Sequence, residues 1–177
     1  MALSMKGVNI SGKTSMGQIP APGFRYFRVN ITSYAGVAVR FQAVNIMVGG
    51  TVYPTTPMDG PASPGSLVAT QSSYYSYYQA WYAFANLVGG NDSYRWIAQV
   101  SQPTPQWIQL DLGVGNEITP TALKLCPDSA GGTDYPTYFY FLGSNTGSFA
   151  GEETILYDSG ALTGANWTAN AFTTFTF

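Results

Sequence analysis

Period-two alternation is the feature that most constrains this chain. In "FRYFRVNIT", residues 24–32, Phe24, Tyr26, Arg28, Asn30 and Thr32 fall on one side and Arg25, Phe27, Val29 and Ile31 on the other. A helix repeats every 3.6 residues and would mix these two sets, whereas a strand sends successive side chains to opposite faces. A second alternating run, "VAVRFQAVNIMV", ends at Gly49-Gly50, and the intervening "SYAG" has turn composition. The simplest expectation is that the two runs pair as an antiparallel hairpin.

The same signature recurs downstream. Residues 51–70 contain four prolines and read as a long surface loop leading into a short strand near "SLVATQS". "QWIQLDLG" places Ile108, Leu110 and Leu112 opposite Gln109 and Asp111, and "ALKLC", "TYFYFLGSN", "EETILYDSG" and "AFTTFTF" follow. At least seven short strands separated by Gly, Pro, Asn and Asp predict an all-β antiparallel sandwich or jelly roll over residues 24–177. Residues 1–23, ending in "PAPG", show neither period and are expected to form an extended N-terminal arm.

Composition narrows the chemistry. Charged residues make up 9% and the net charge is −2, with the seven basic residues scattered, so there is no footprint for nucleic acid. No run has the length of a membrane span or the order of a signal peptide, which leads to the expectation of a chain made in a cytoplasm, without a membrane partner. Cys126 is alone and no internal disulfide can form. The sequons at Asn30, Asn91 and Asn166 read as chance matches in a Thr-rich chain without a secretion signal.

Histidine is absent, which removes serine triads, Cys-His pairs and His-based zinc sites in their usual forms. The adjacent Glu152 and Glu153 sit in a turn and suit a solvated loop better than the spaced carboxylates of a glycosidase. No role is assigned to Asp111 or Asp158. The expectation is a non-enzymatic protein without a cofactor. Arg25, Arg28 and Arg40 could face an acidic sugar, but stacking on Tyr26 or Phe41, or surface ion pairing, is the simpler reading.

One stretch stands apart. "QSSYYSYYQAWYAF", residues 71–84, holds Tyr74, Tyr75, Tyr77 and Tyr78, then Trp81, Tyr82 and Phe84. Such rings either fill a core or face a partner, since leaving several in water forfeits roughly 1.5–3 kcal/mol each.

Five phrases, "FRYFRVNIT", "VRFQAVNIMVGG", "AWYAFANLVGGNDSYRW", "PQWIQLDLG" and "YFYFLGSNTGSF", resemble in their order the galactose-binding-like sandwich of discoidin and coagulation factor type C domains. The resemblance is to the version found in bacteriophage tail and fibre proteins. In the commoner arrangement the strand resembling "RYFRVNIT" comes last, so the resemblance implies a circular permutation. It also implies that Ala80, Ala83 and Phe84 are the buried side of a short turn, that Trp81 and Tyr82 look outward, and that Trp96 and Trp107 pack inside.

Family members often hold calcium near this turn, through an Asp and a Glu whose places here are taken by Ala85 and about Ala43. With both acids missing, no metal is expected, although Asn86, Asn91 and Asp92 could supply oxygens. By this resemblance the expected function is a virion structural protein on a tail, fibre or capsid surface. It would contact other virion proteins or copies of itself through its arm and through Tyr74, Tyr75, Tyr77, Tyr78, Trp81, Tyr82 and Arg95. The alternative is an adhesion module that stacks these rings on a host surface glycan.

Overall fold

The computed structural model describes residues 23–89, 93–128 and 133–177. The expected N-terminal arm up to residue 22, and Asn91 and Asp92, lie outside the described residues. Among the described residues there are ten strands, one turn of α-helix and one 3-10 turn, Gly164–Asn166. The strands are β1 (Tyr26–Tyr34), β2 (Arg40–Val48), β3 (Thr51–Tyr53), β4 (Val68–Gln71), β5 (Trp96–Ile97), β6 (Gln106–Asp111), β7 (Ala122–Pro127), β8 (Pro136–Ser144), β9 (Thr154–Asp158) and β10 (Thr173–Thr176), with α1 (Ala80–Ala83) between β4 and β5.

Two antiparallel sheets result. One has the order β4-β6-β1-β8-β9; the other runs β10-β7-β2-β3, with β5 also paired to β2. The strands form where alternation demanded: Phe27, Val29 and Ile31 of β1 and Ile108 and Leu110 of β6 are buried, while the residues between them face outward. The inward faces meet in one aromatic-rich core. Phe27 stacks on Phe141 at 5.7 Å between centroids, Phe41 on Trp96 at 6.0 Å, and Phe139 meets Phe175 edge-on at 5.1 Å. Offset and edge-on pairs suit the ring quadrupoles and add to the area buried.

The hairpin expected between β1 and β2 does not form. β1 lies at the centre of one sheet, between β6 and β8, and β2 lies in the other, against β7. The "SYAG" segment bonds outward instead: Ala35 N–H donates to the Tyr135 carbonyl at 2.9 Å and Val37 N–H to Asp134 Oδ1 at 3.0 Å. The connection therefore crosses from one layer to the other.

Trp107 also departs from expectation. Trp96 is fully buried, but Trp107 alternates with Ile108 and Leu110 and so sits half-buried on the outer face of its sheet. Its register partner Asn30 shares that face.

β2 is buried on both sides. Its second face is covered by the segment following α1, where Asn45 Nδ2 donates to Asn86 Oδ1 at 3.1 Å and Gln42 Oε1 accepts from Gly89 N–H at 3.4 Å. α1 is a single turn whose Ala80 and Ala83 are sealed, with Phe84 and Ala85 behind them, as the turn reading required. No helix among the described residues is long and apolar enough to cross a membrane.

Candidate functional site: an aromatic loop over a buried ion-pair network

The loop between β4 and α1 is pinned from below by main-chain and side-chain bonds. Tyr75 N–H donates to the Ile97 carbonyl at 2.9 Å, and Ile97 N–H returns a bond to the Tyr78 carbonyl at 3.3 Å. Ser72 and Ser73 hydroxyls both donate to Gln106 Oε1, and the Trp96 indole N–H donates to the Ser73 carbonyl at 3.0 Å. Gln71 Oε1 accepts from Ala80 N–H at 3.0 Å, fixing where the turn begins. A loop tied at both ends holds its side chains in place without needing their burial.

On this base Tyr74, Tyr75 and Tyr77 project outward, 43%, 46% and 53% exposed. Tyr78 is half-buried and carries Tyr77 on its face: the ring centroids are 4.3 Å apart and the hydroxyls 3.0 Å apart. Sharing that hydrogen bond raises the Tyr77 pKa and lowers that of Tyr78, which also meets Arg95.

Trp81 and Tyr82 stack on one another at 3.8 Å, and Tyr82 meets Tyr94 edge-on at 5.4 Å. Both are half-buried, with Trp81 packed partly against the core. Trp81 and Tyr94 line a cleft of about 370 Å³ with Met58, Asp59, Asn86 and Leu87, the last of these 49% exposed.

Arg95 is placed differently from the tyrosines. It is only 8% exposed; its Nη1 donates to Asp128 Oδ2 at 2.5 Å and its guanidinium lies 5.0 Å from the centre of the Tyr78 ring. Asp128 also stands 3.8 Å from Arg40 Nη1, and Arg40 Nη2 bonds Asp134 Oδ2 at 2.7 Å. Burial presses the Arg95 pKa down, but the bonds from Asp128 and Tyr78 outweigh it and the net shift is upward. Arg95 thus supports the loop from inside, a role that its proximity to the cluster in sequence did not reveal, because Asp128 lies far away along the chain.

The remaining candidates find structural employment. Arg25 forms a two-pronged ion pair with Asp111, at 2.6 and 2.7 Å, and lies over Tyr26. Glu152 accepts bonds from Ser144, Ser148 and Phe149 within its own loop. Ala43 and Ala85, which the family resemblance set near the expected calcium positions, are both buried. No group of three or more His, Cys, Asp or Glu among the described residues could hold a metal ion. Sequence reasoning overlooked Phe149, whose ring covers Arg28.

A family model described as the F5/8 type C domain matches residues 68–177. The match runs from β4 to the end of the chain, while β1, β2 and β3 lie before it; β1 sits between β6 and β8, and β2 pairs with β5 and β7, all four within the match. No curated protein and no solved structure matches the chain.

Proposed function

Because this chain belongs to the F5/8 type C domain family, we propose that it is a non-catalytic binding module serving as a structural component of a bacteriophage virion. In this reading the exposed face formed by Tyr74, Tyr75 and Tyr77 docks against other copies of the chain or other virion proteins. The observation that carries it is the combination of exposure and fixation: three rings are held in water by a loop whose backbone is bonded to β5. Rings pre-positioned in this way lose little entropy on binding, and tyrosine is enriched in the energetic centres of protein interfaces.

Low charge supports the same reading, since interface cores are depleted in charged residues. The phage assignment rests on the resemblance of the ordered strand phrases.

A second reading is adhesion to a bacterial surface glycan. What favours it is the cleft beside Trp81, where ring faces adjoin the Asn86 amide and the Asp59 carboxylate. The two readings separate by fluorescence. The difference in acrylamide quenching between the natural chain and a Trp81→Phe variant isolates the Trp81 signal. Shielding that grows with protein concentration supports assembly; shielding produced by host polysaccharide at low protein concentration supports adhesion and sinks the structural role.

A further inference from the structure

The outer face of the five-stranded sheet carries a second arrangement, separate from the tyrosine loop. Arg28, in the centre of β1, is sandwiched between two rings: its guanidinium carbon is 4.1 Å from the centre of Trp107 and 4.0 Å from that of Phe149. Its Nε and Nη2 both donate to Gln109 Oε1, at 3.1 and 2.7 Å. Both faces of the guanidinium and one of its edges are therefore occupied. The remaining edge, Nη1 with the second Nη2 hydrogen, has no hydrogen-bond acceptor among the described residues and is not enclosed.

Arg28 differs from every other arginine in the chain. Arg25, Arg40 and Arg95 each contact a carboxylate, whereas Arg28 has none in ion-pair range among the described residues. Glu152 and Glu153 act on it only through space, while Glu152 Oε1 and Glu153 Oε2 accept bonds within the 144–153 loop. Burial meanwhile presses the Arg28 pKa down. A half-buried cation with no anion in direct contact is an incomplete pair.

The loop that supplies the second ring is itself strained toward this end. Phe149 has φ +50°, a left-handed conformation that a bulky residue rarely adopts. Its N–H is held by Glu152 Oε1 at 3.0 Å. Such strain persists only where surrounding bonds over-determine it, and here its result is the ring over Arg28.

We propose that the open edge of Arg28, between Trp107 and Phe149, binds the carboxylate of an acidic saccharide. A planar guanidinium edge matches a carboxylate two-pronged, and flanking rings keep it in plane. The surroundings favour a sugar over a peptide. Thr70 sits across from Gln109 in the register, and Asn30 between Trp107 and Tyr140, so amides and hydroxyls lie in adjacent cross-strand rows on this face. Amides and hydroxyls on the β6 side of Arg28 suit sugar hydroxyls, while its register partner on β8 is the buried Leu142.

The test is calorimetric titration of the intact protein with oligosaccharides of glucuronate, galacturonate and mannuronate, each against its neutral counterpart. The expected result is binding of at least one acidic series over its neutral analogue. That binding should weaken roughly tenfold or more in Arg28→Gln and in Arg28→Lys, the latter keeping the charge but losing the fork. Phe149→Ala should weaken it as well, and Val114→Ser, an exposed residue in the turn after β6 that belongs to neither site, should leave it unchanged. Thermal melts confirm that each variant is folded. Absence of any acid-dependent binding, or equal binding by a folded Arg28→Gln, overturns the proposal.

Discussion

Arg95 Nη1 meets Asp128 Oδ2 at 2.5 Å beneath the tyrosine loop, with both side chains at least nine-tenths buried. A pair this enclosed does not earn much stability relative to an apolar replacement of both residues, but breaking it leaves a buried charge without compensation. Asp128→Ala should therefore destabilise the protein by about 3–5 kcal/mol, read from the denaturant midpoint. A loss below about 1 kcal/mol would show that water reaches Arg95 freely.

The two tryptophans on β5 and β6 should behave differently. Trp96 is wholly buried against Phe41, so Trp96→Ala should cost about 3–5 kcal/mol. Trp107 lies on the outer face and its replacement by Ala should cost less than half as much, mainly through the lost stacking with Arg28. Equal losses in the unfolding midpoint would place Trp107 in the core after all.

Glu152 gives a pH dependence. The Ser144 hydroxyl, followed by bonds from Thr146, Phe149 and Ser148, holds its carboxyl below the ordinary value of 4.5. A carboxylate with a depressed folded pKa contributes stability above its unfolded pKa and loses that contribution as pH falls through the folded one. The 144–152 loop should thus stay closed at neutral pH and release Phe149 from Arg28 only in acid. Carbon-detected NMR titration of Glu152 should give a midpoint below 4.5; a midpoint at or above it would contradict the bonding described.

Cys126 is sealed in β7, and burial pushes its thiol up to about 11. Thiolate is the reactive form, so at pH 8 the folded protein should react with a thiol reagent far more slowly than the unfolded chain. Comparable rates would mean that β7 opens readily.

How much of this was legible in the sequence depended on whether the signal was local. The longer strands were legible, because alternation is a property of neighbouring residues, whereas the short β3 and β5 were not; Ala80, Ala83 and Phe84 are buried as the family resemblance implied. Which strands pair was not. "SYAG" has the composition of a tight turn, yet its bonds go to Asp134 and Tyr135, about a hundred residues away. The burial of β2 on both faces depends likewise on Gln42 and Asn45 meeting the segment after α1.

Trp107 was misplaced for an instructive reason. The alternation that put Ile108, Leu110 and Leu112 on one face already put Trp107 on the other with Gln109 and Asp111. Taking its burial from the family resemblance overrode a clearer signal. Arg95 was drawn into the exposed cluster because nothing near it in the chain announces Asp128.

The central claim, that Tyr74, Tyr75 and Tyr77 form a docking face and do not hold up the fold, is tested most directly by sedimentation velocity on a variant with all three changed to serine. Surface positions of this kind typically shift stability by only about 0.5 kcal/mol each. The account predicts concentration-dependent association of the natural chain, alone or with its partner proteins, and its loss in a variant that melts within a few degrees of it. A folded variant that associates as strongly as the natural chain would contradict the claim.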